Sequence, residues 1–219
     1  SDMPMYGIQR PGRVPIEKSM WEFFANETTA DGTRTACLKR QKELPIDLYQ
    51  TVVETLWNLP RREEKYLALD LALHYEDCIT MQCLPMYEQM LREDYQWWDL
   101  VDPIAVNLVG KVTYQCPTEM KPILKRWIRD DNMWIRRTAI LAQLKFKDRM
   151  DEELLFQFCR NRMHEKEFFI RKAIGWVLRE YSKTAPDAVR TFLSTEKANL
   201  SGLSYREGSR ILIKRGLMH

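Results

Sequence analysis

The chain reads as all-α, a row of helix pairs stacked side by side, and three observations predict it. From Pro45 onward, apolar residues recur three and four positions apart in segments of ten to eighteen residues. Those segments are punctuated by Pro, Asn, Asp or Gly, and no convincing alternating strand competes with them. The segments also repeat. Trp134-Ile135-Arg136-Arg137 through Phe146 superposes on Phe169-Ile170-Arg171-Lys172 through Tyr181 at an offset of 35, and the run 68–75 lies 71 residues before 139–146, about twice that period. A helical unit of this length cannot bury its apolar face without a neighbour, so the repeats predict a HEAT-like stack that curves into a solenoid with a concave groove.

Taken in order, the periodic segments are 46–58, 61–76, 80–92, 95–109, 118–129, 132–147, 151–163, 166–182, 186–194 and 204–216. Leu-Pro at 44–45, 59–60 and 84–85 marks breaks, because proline restricts the residue before it and offers no backbone donor. The second helix of each pair commonly lines the hollow of such a stack, which places Tyr66, Trp98, Arg137 and Trp176 there. Before Pro45 the pattern weakens: 18–25 fits a short helix around Trp21 and Phe24, and 26–42 is polar, contains Asp31-Gly32 and reads as a loop or insertion. A single domain spanning 1–219, with 1–44 atypical, is the expectation from this length.

Composition narrows the chemistry. The chain is 45% hydrophobic with seven Trp, yet no apolar run approaches the length that crosses a bilayer, and no secretory signal opens it. An intracellular location follows, cytoplasmic in a bacterium or nuclear in a eukaryote. Five cysteines, Cys37, Cys78, Cys83, Cys116 and Cys159, form an odd set without a Cys-x-x-Cys pair, which argues for reduced thiols. The three histidines sit in no metal-ligand spacing and beside no nucleophile motif, so metal and triad chemistry are not expected. No glycine-rich phosphate cradle is present, and no cofactor is expected.

Net charge is only +3, but its distribution is uneven: eight basic residues against two acids lie between Lys121 and Lys147. Arg160, Arg162, Lys166, Arg171 and Lys172 follow. These clusters fit either a phosphate-binding surface or a solvated helix face. Trp98 and Asp102 are one helical turn apart, so an indole and a carboxylate share one side of a helix. That pair fits a packed Trp beside a solvated acid, or a site that packs on a sugar and stabilises a cation forming there. Residues 98, 102, 137 and 176 fall on three helices of the same class and can converge. Two indoles, a carboxylate and a guanidinium suit a polyanion with a cationic reacting centre, although Trp176 lies in the apolar run Ile174-Gly175-Trp176-Val177-Leu178 and also fits a core position.

The strings Gln96-Trp97-Trp98-Asp99-Leu100-Val101-Asp102, Asp131-Asn132-Met133-Trp134-Ile135-Arg136-Arg137-Thr138-Ala139-Ile140 and Lys172-Ala173-Ile174-Gly175-Trp176-Val177-Leu178-Arg179-Glu180-Tyr181 closely resemble the AlkD-type alkylpurine DNA glycosylases, HEAT-like DNA alkylation repair proteins. The similarity covers most of 45–219, with Leu56-Trp57-Asn58-Leu59-Pro60, Lys166-Glu167-Phe168-Phe169-Ile170 and Met150-Asp151-Glu152-Glu153-Leu154-Leu155 as further matches. Gly7-Ile8-Gln9-Arg10-Pro11 resembles the family's Gly-Ile-Gln-x-Pro near its third helix, about where this chain begins. The resemblance implies hydrolysis of the N-glycosidic bond of cationic alkylated purines, such as 3-methyladenine and 7-methylguanine, in double-stranded DNA without extrusion of the base. It maps the sugar-contacting tryptophans to Trp98 and Trp176, the catalytic carboxylate to Asp102 and the phosphate-contacting arginine to Arg137. Arg136, Lys172 and Gln9 are further expected DNA contacts, and the protein is expected to act as a monomer. The rival reading is a non-catalytic HEAT-like module that binds DNA or protein through the same groove; an acid aimed at a polyanion counts against it.

Overall fold

The computed structural model describes residues 44–218, all of whose regular structure is helical. The expected helix at 18–25, the polar stretch 26–42, Cys37 and Gln9 lie outside these described residues. The chain divides into two compact units, the division falling after Met86.

In the first unit, α1 (Ile46–Trp57) buries Tyr49, Val53 and Trp57, one residue per turn on a single side. The chain stops at Leu59-Pro60 and re-enters α2 (Arg62–His74), where the Glu64 side chain reaches back to the backbone N–H of Arg61 at 2.7 Å. Lys65 is buried and donates its ammonium hydrogens to the carbonyl of Trp57, satisfying the end of α1. Tyr66 lies in this unit, its hydroxyl accepting from Arg62 Nε at 2.9 Å.

Helix α3 (Leu84–Arg92) starts at Leu84 with Pro85 in its first turn, where a missing donor costs no hydrogen bond. The break expected at Leu84-Pro85 is therefore a helix start.

The second unit holds α4 (Trp98–Pro103), a π-helical segment (Ile104–Val109) and α5 (Gly110–Gln115) as one uninterrupted run. Periodicity ended this helix at 109 because Gly110 reads as a stop. Gly110 is instead a contact point: a Cβ there would come 2.9 Å from the carbonyl oxygen of Ala142. There follow α6 (Pro117–Trp127), α7 (Met133–Leu141), α8 (Glu152–Arg162), α9 (Phe168–Tyr181), α10 (Pro186–Thr195) and α11 (Gly202–Lys214).

Capping sets several starts. Asn132 accepts from the Trp134 and Ile135 N–H groups at 2.8 and 3.4 Å, Asp151 from Leu154 and Ser201 from Ser204, each at 3.0 Å. The segment expected at 132–147 ends as α-helix at Leu141, after which the turns tighten and Lys147 takes a left-handed φ of 52°. Helix α7 is the centre of the unit: Ile135, Ala139, Ile140 and Leu141 are buried, and it packs against α4, the π segment, α6, α8 and α9. Cys78, Cys83, Cys116 and Cys159 are free thiols, and burial pushes Cys159 up to about 12, which leaves it unreactive. No helix among the described residues is long and apolar enough to cross a membrane.

Candidate functional site

Helix α4 begins after Trp97, whose backbone is extended, so the indole of Trp98 emerges from the first turn and is 48% exposed. One turn on, Asp102 points the same way, toward α7. There Arg137 meets it as a fork: Nε donates to Oδ1 at 2.8 Å and Nη2 to Oδ2 at 2.9 Å. Arg137 is 4% exposed and Asp102 13%, so the acid is the member of the pair nearer to water. A third donor, Nη1 of Arg137, goes to the backbone carbonyl of Phe169 at the start of α9. Three helices are thus tied together by one guanidinium.

The fork leaves chemical capacity on both partners. A carboxylate has about four lone-pair directions and the fork uses two; a guanidinium has five N–H groups and three are engaged. Asp102, the more exposed of the two, can still face a water or a positive centre. The two residues act as one unit.

Aromatic rings border the pair. Phe169 carries its ring under Arg137, 5.9 Å from the guanidinium carbon, and meets Trp134 in a tilted contact at 5.0 Å and Trp97 edge-on at 5.1 Å. Trp176 follows Phe169 by seven residues, two turns along the same side of α9. It is half-buried while its neighbours Ile174, Gly175 and Val177 are buried, so it does not belong to the core of that apolar run. Helix α9 also leans on α11. Gly175 lets α9 approach closely: a Cβ at that position would meet the Glu207 Cβ at 2.5 Å and the Ser204 carbonyl oxygen at 3.1 Å.

The remaining cations are more occupied. Arg136 donates to Glu165 and, at 2.8 Å each, to the carbonyls of Asp130 and Asp131, so its hydrogen bonds close the turn before α7. Lys172 pairs with Glu207 at 3.0 Å, and Arg179 shares that carboxylate, whose pKa is held below the usual range first by the Lys172 hydrogen bond. Glu207 and the Phe169 carbonyl were not singled out from sequence, although the signal was there: Asp102, Arg137, Lys172 and Glu207 follow one another at intervals of 35. Among the described residues no group of His, Cys, Asp and Glu could hold a metal ion.

No curated protein matches the chain. Among solved structures, a predicted DNA alkylation repair enzyme from Enterococcus faecalis is similar at 28% identity and a TM-score of 0.79, over 97% of this chain and 90% of that one. The family described as DNA alkylation repair enzyme matches residues 16–212, and the chain belongs to that family.

Proposed function

We propose that this protein is a DNA glycosylase that hydrolyses the N-glycosidic bond of cationic alkylated purines, of the 3-methyladenine and 7-methylguanine type, in double-stranded DNA. The observation that carries the reading is the Asp102–Arg137 fork beside the exposed indole of Trp98. An N-alkylated purine is already a cation, so when its bond to the sugar breaks the electron pair leaves with a base that becomes neutral. Positive charge develops on the deoxyribose instead. Asp102, held in place by the two hydrogen bonds of the guanidinium, stabilises that charge and orients the attacking water. Trp98 and Trp176 offer ring faces to the sugar, and Arg137 offers its remaining N–H groups to a phosphate. Because the acid is partly open to water beside the exposed ring of Trp98, the lesion is approached without drawing the base into a pocket.

Arg136 and Lys172 contribute positive charge beside the site. Arg136 does so from a side chain whose hydrogen bonds are already made within the fold. One observation favours a second reading: the same fork ties three helices, as it would in a binding module without chemistry. Chromatography of bases released from methylated duplex DNA separates the two. The expected result is release of 7-methylguanine and 3-methyladenine by the natural sequence, and a loss of about a hundredfold or more in rate for Asp102→Asn. Binding without release would leave the module reading standing, and equal release by the variant would remove Asp102 from the mechanism.

A further inference from the structure

The helical run that carries Asp102 continues for another thirteen residues to Gln115, and five of its accessible positions, Trp98, Asp102, Asn107, Lys111 and Tyr114, make one stripe, with Asp99, Pro103 and Gln115 accessible beside them. The steps along it are four, five, four and three residues. In a regular α-helix, Tyr114 would stand about 3.3 turns beyond Asp102 and face a different way. The long step falls within the π segment Ile104–Val109, which takes more residues per turn and returns Tyr114 to the side of Asp102. The two positions are separated by roughly 18 Å along the axis.

Cations from the stretch after α7 join this stripe. Lys145 donates to Asn107 Oδ1 at 2.6 Å. Arg149 lies with its guanidinium carbon 4.0 Å from the centre of the Tyr114 ring, and Phe146 meets that ring edge-on at 5.4 Å. Tyr114 is 42% exposed, and Lys145, Lys147 and Arg149 are exposed as well, with Asp148 the one acid between them. No carboxylate pairs with Arg149 among the described residues. A guanidinium held over a ring has lost much of its side-chain freedom in advance, so it meets a phosphate at little further cost.

We propose that Asn107–Lys145 and Tyr114–Arg149 form a backbone track that grips phosphates of the bound duplex at a distance from the lesion held near Asp102. The inference rests on the glycosylase reading only in taking lesion-bearing duplex DNA as the ligand. Its role is register and affinity, since phosphate contacts position a protein without reading sequence.

The test is binding to a duplex carrying one tetrahydrofuran abasic analogue, with single phosphates replaced in turn by uncharged methylphosphonates. Lys145→Gln/Arg149→Gln is expected to lower the salt slope by about two, near 0.9 for each lost contact. One or two substitutions lying two or more nucleotides from the analogue, on either strand, are expected to weaken binding by the natural sequence and leave the double variant unaffected. An unchanged slope, or the absence of any such distant position, overturns the track. Tyr114→Leu keeps both charges and releases the guanidinium; a Kd weaker by about two- to fivefold is expected, and an unchanged Kd overturns the role of the ring. If the natural sequence shows the distant footprint but releases no 7-methylguanine, the glycosylase reading fails and the track stands. Release without the footprint does the reverse.

Discussion

The central residue is Arg137, because it serves the acid and the start of α9 at once. Deleting it leaves the Asp102 carboxylate without its fork and the Phe169 carbonyl without its donor. Arg137→Ala is therefore expected to cost about 2–4 kcal/mol of stability, toward the lower end because Asp102 retains some contact with water. It is also expected to weaken DNA binding and lower the salt slope by about one. Arg137→Lys separates the two roles. A lysine restores charge but cannot reach both oxygens in parallel, so slope is expected to recover more fully than base release. Urea unfolding, salt titration and single-turnover release read the three quantities; recovery of release to the natural level in the lysine variant would show that the fork itself is dispensable.

At the scale of the element, α9 matters most, since one side of it builds the site and the other presses on α11. Gly175 is the point of closest approach, and a methyl group there has nowhere to go between the Glu207 Cβ and the Ser204 backbone. Gly175→Ala is expected to destabilise by about 1–3 kcal/mol despite the better helix propensity of alanine. Because Trp176 is the next residue, base release is expected to fall more than the stability loss alone requires. A melting temperature equal to that of the natural sequence would show that the two helices part without strain. The helices themselves were legible in the spacing of apolar residues, as was the offset of 35 that brings Trp134 onto Phe169. The π segment was not legible: nothing in Ile104-Ala105-Val106-Asn107-Leu108-Val109 announces a wider turn, and Gly110 imitates a helix end although it marks close contact with Ala142. Trp98, Asp102 and Arg137 could be named from sequence as candidates. That two of them bind each other could not, because pairing depends on which helices pack.

At the largest scale, the repeat length seen in the sequence reappears as a ladder of polar links within the second unit. Partners lie 38 residues apart for Arg92 and Asp130, 35 for Asp102 and Arg137, 30 for Lys121 and Asp151, 36 for Arg160 and Glu196, and 35 for Lys172 and Glu207. Each joins one repeat to the next, so the ladder supplements the buried apolar faces. Four of these carboxyls have pKa values below the ordinary range. Hydrogen bonds from Arg92, Arg160 and Lys172 lower Asp130, Glu196 and Glu207. For Asp151, burial acts in the opposite direction and is outweighed by Lys121 together with the Leu154 N–H. A carboxyl with a depressed folded pKa adds stability that is complete above its unfolded value, near 4, and is lost as pH falls through the folded value. The melting temperature is therefore expected to be level from pH 8 to about 5 and to drop below about pH 4, with a smaller drop in 1 M salt, where the more exposed pairs are screened. Glu207→Gln removes one of the four titrating groups and unpairs Lys172 and Arg179, so it is expected to lower the plateau and shrink the acid drop together. A lower plateau with an undiminished acid drop would mean that Glu207 stabilises through packing against Gly175 and that the other three carboxyls carry the pH dependence.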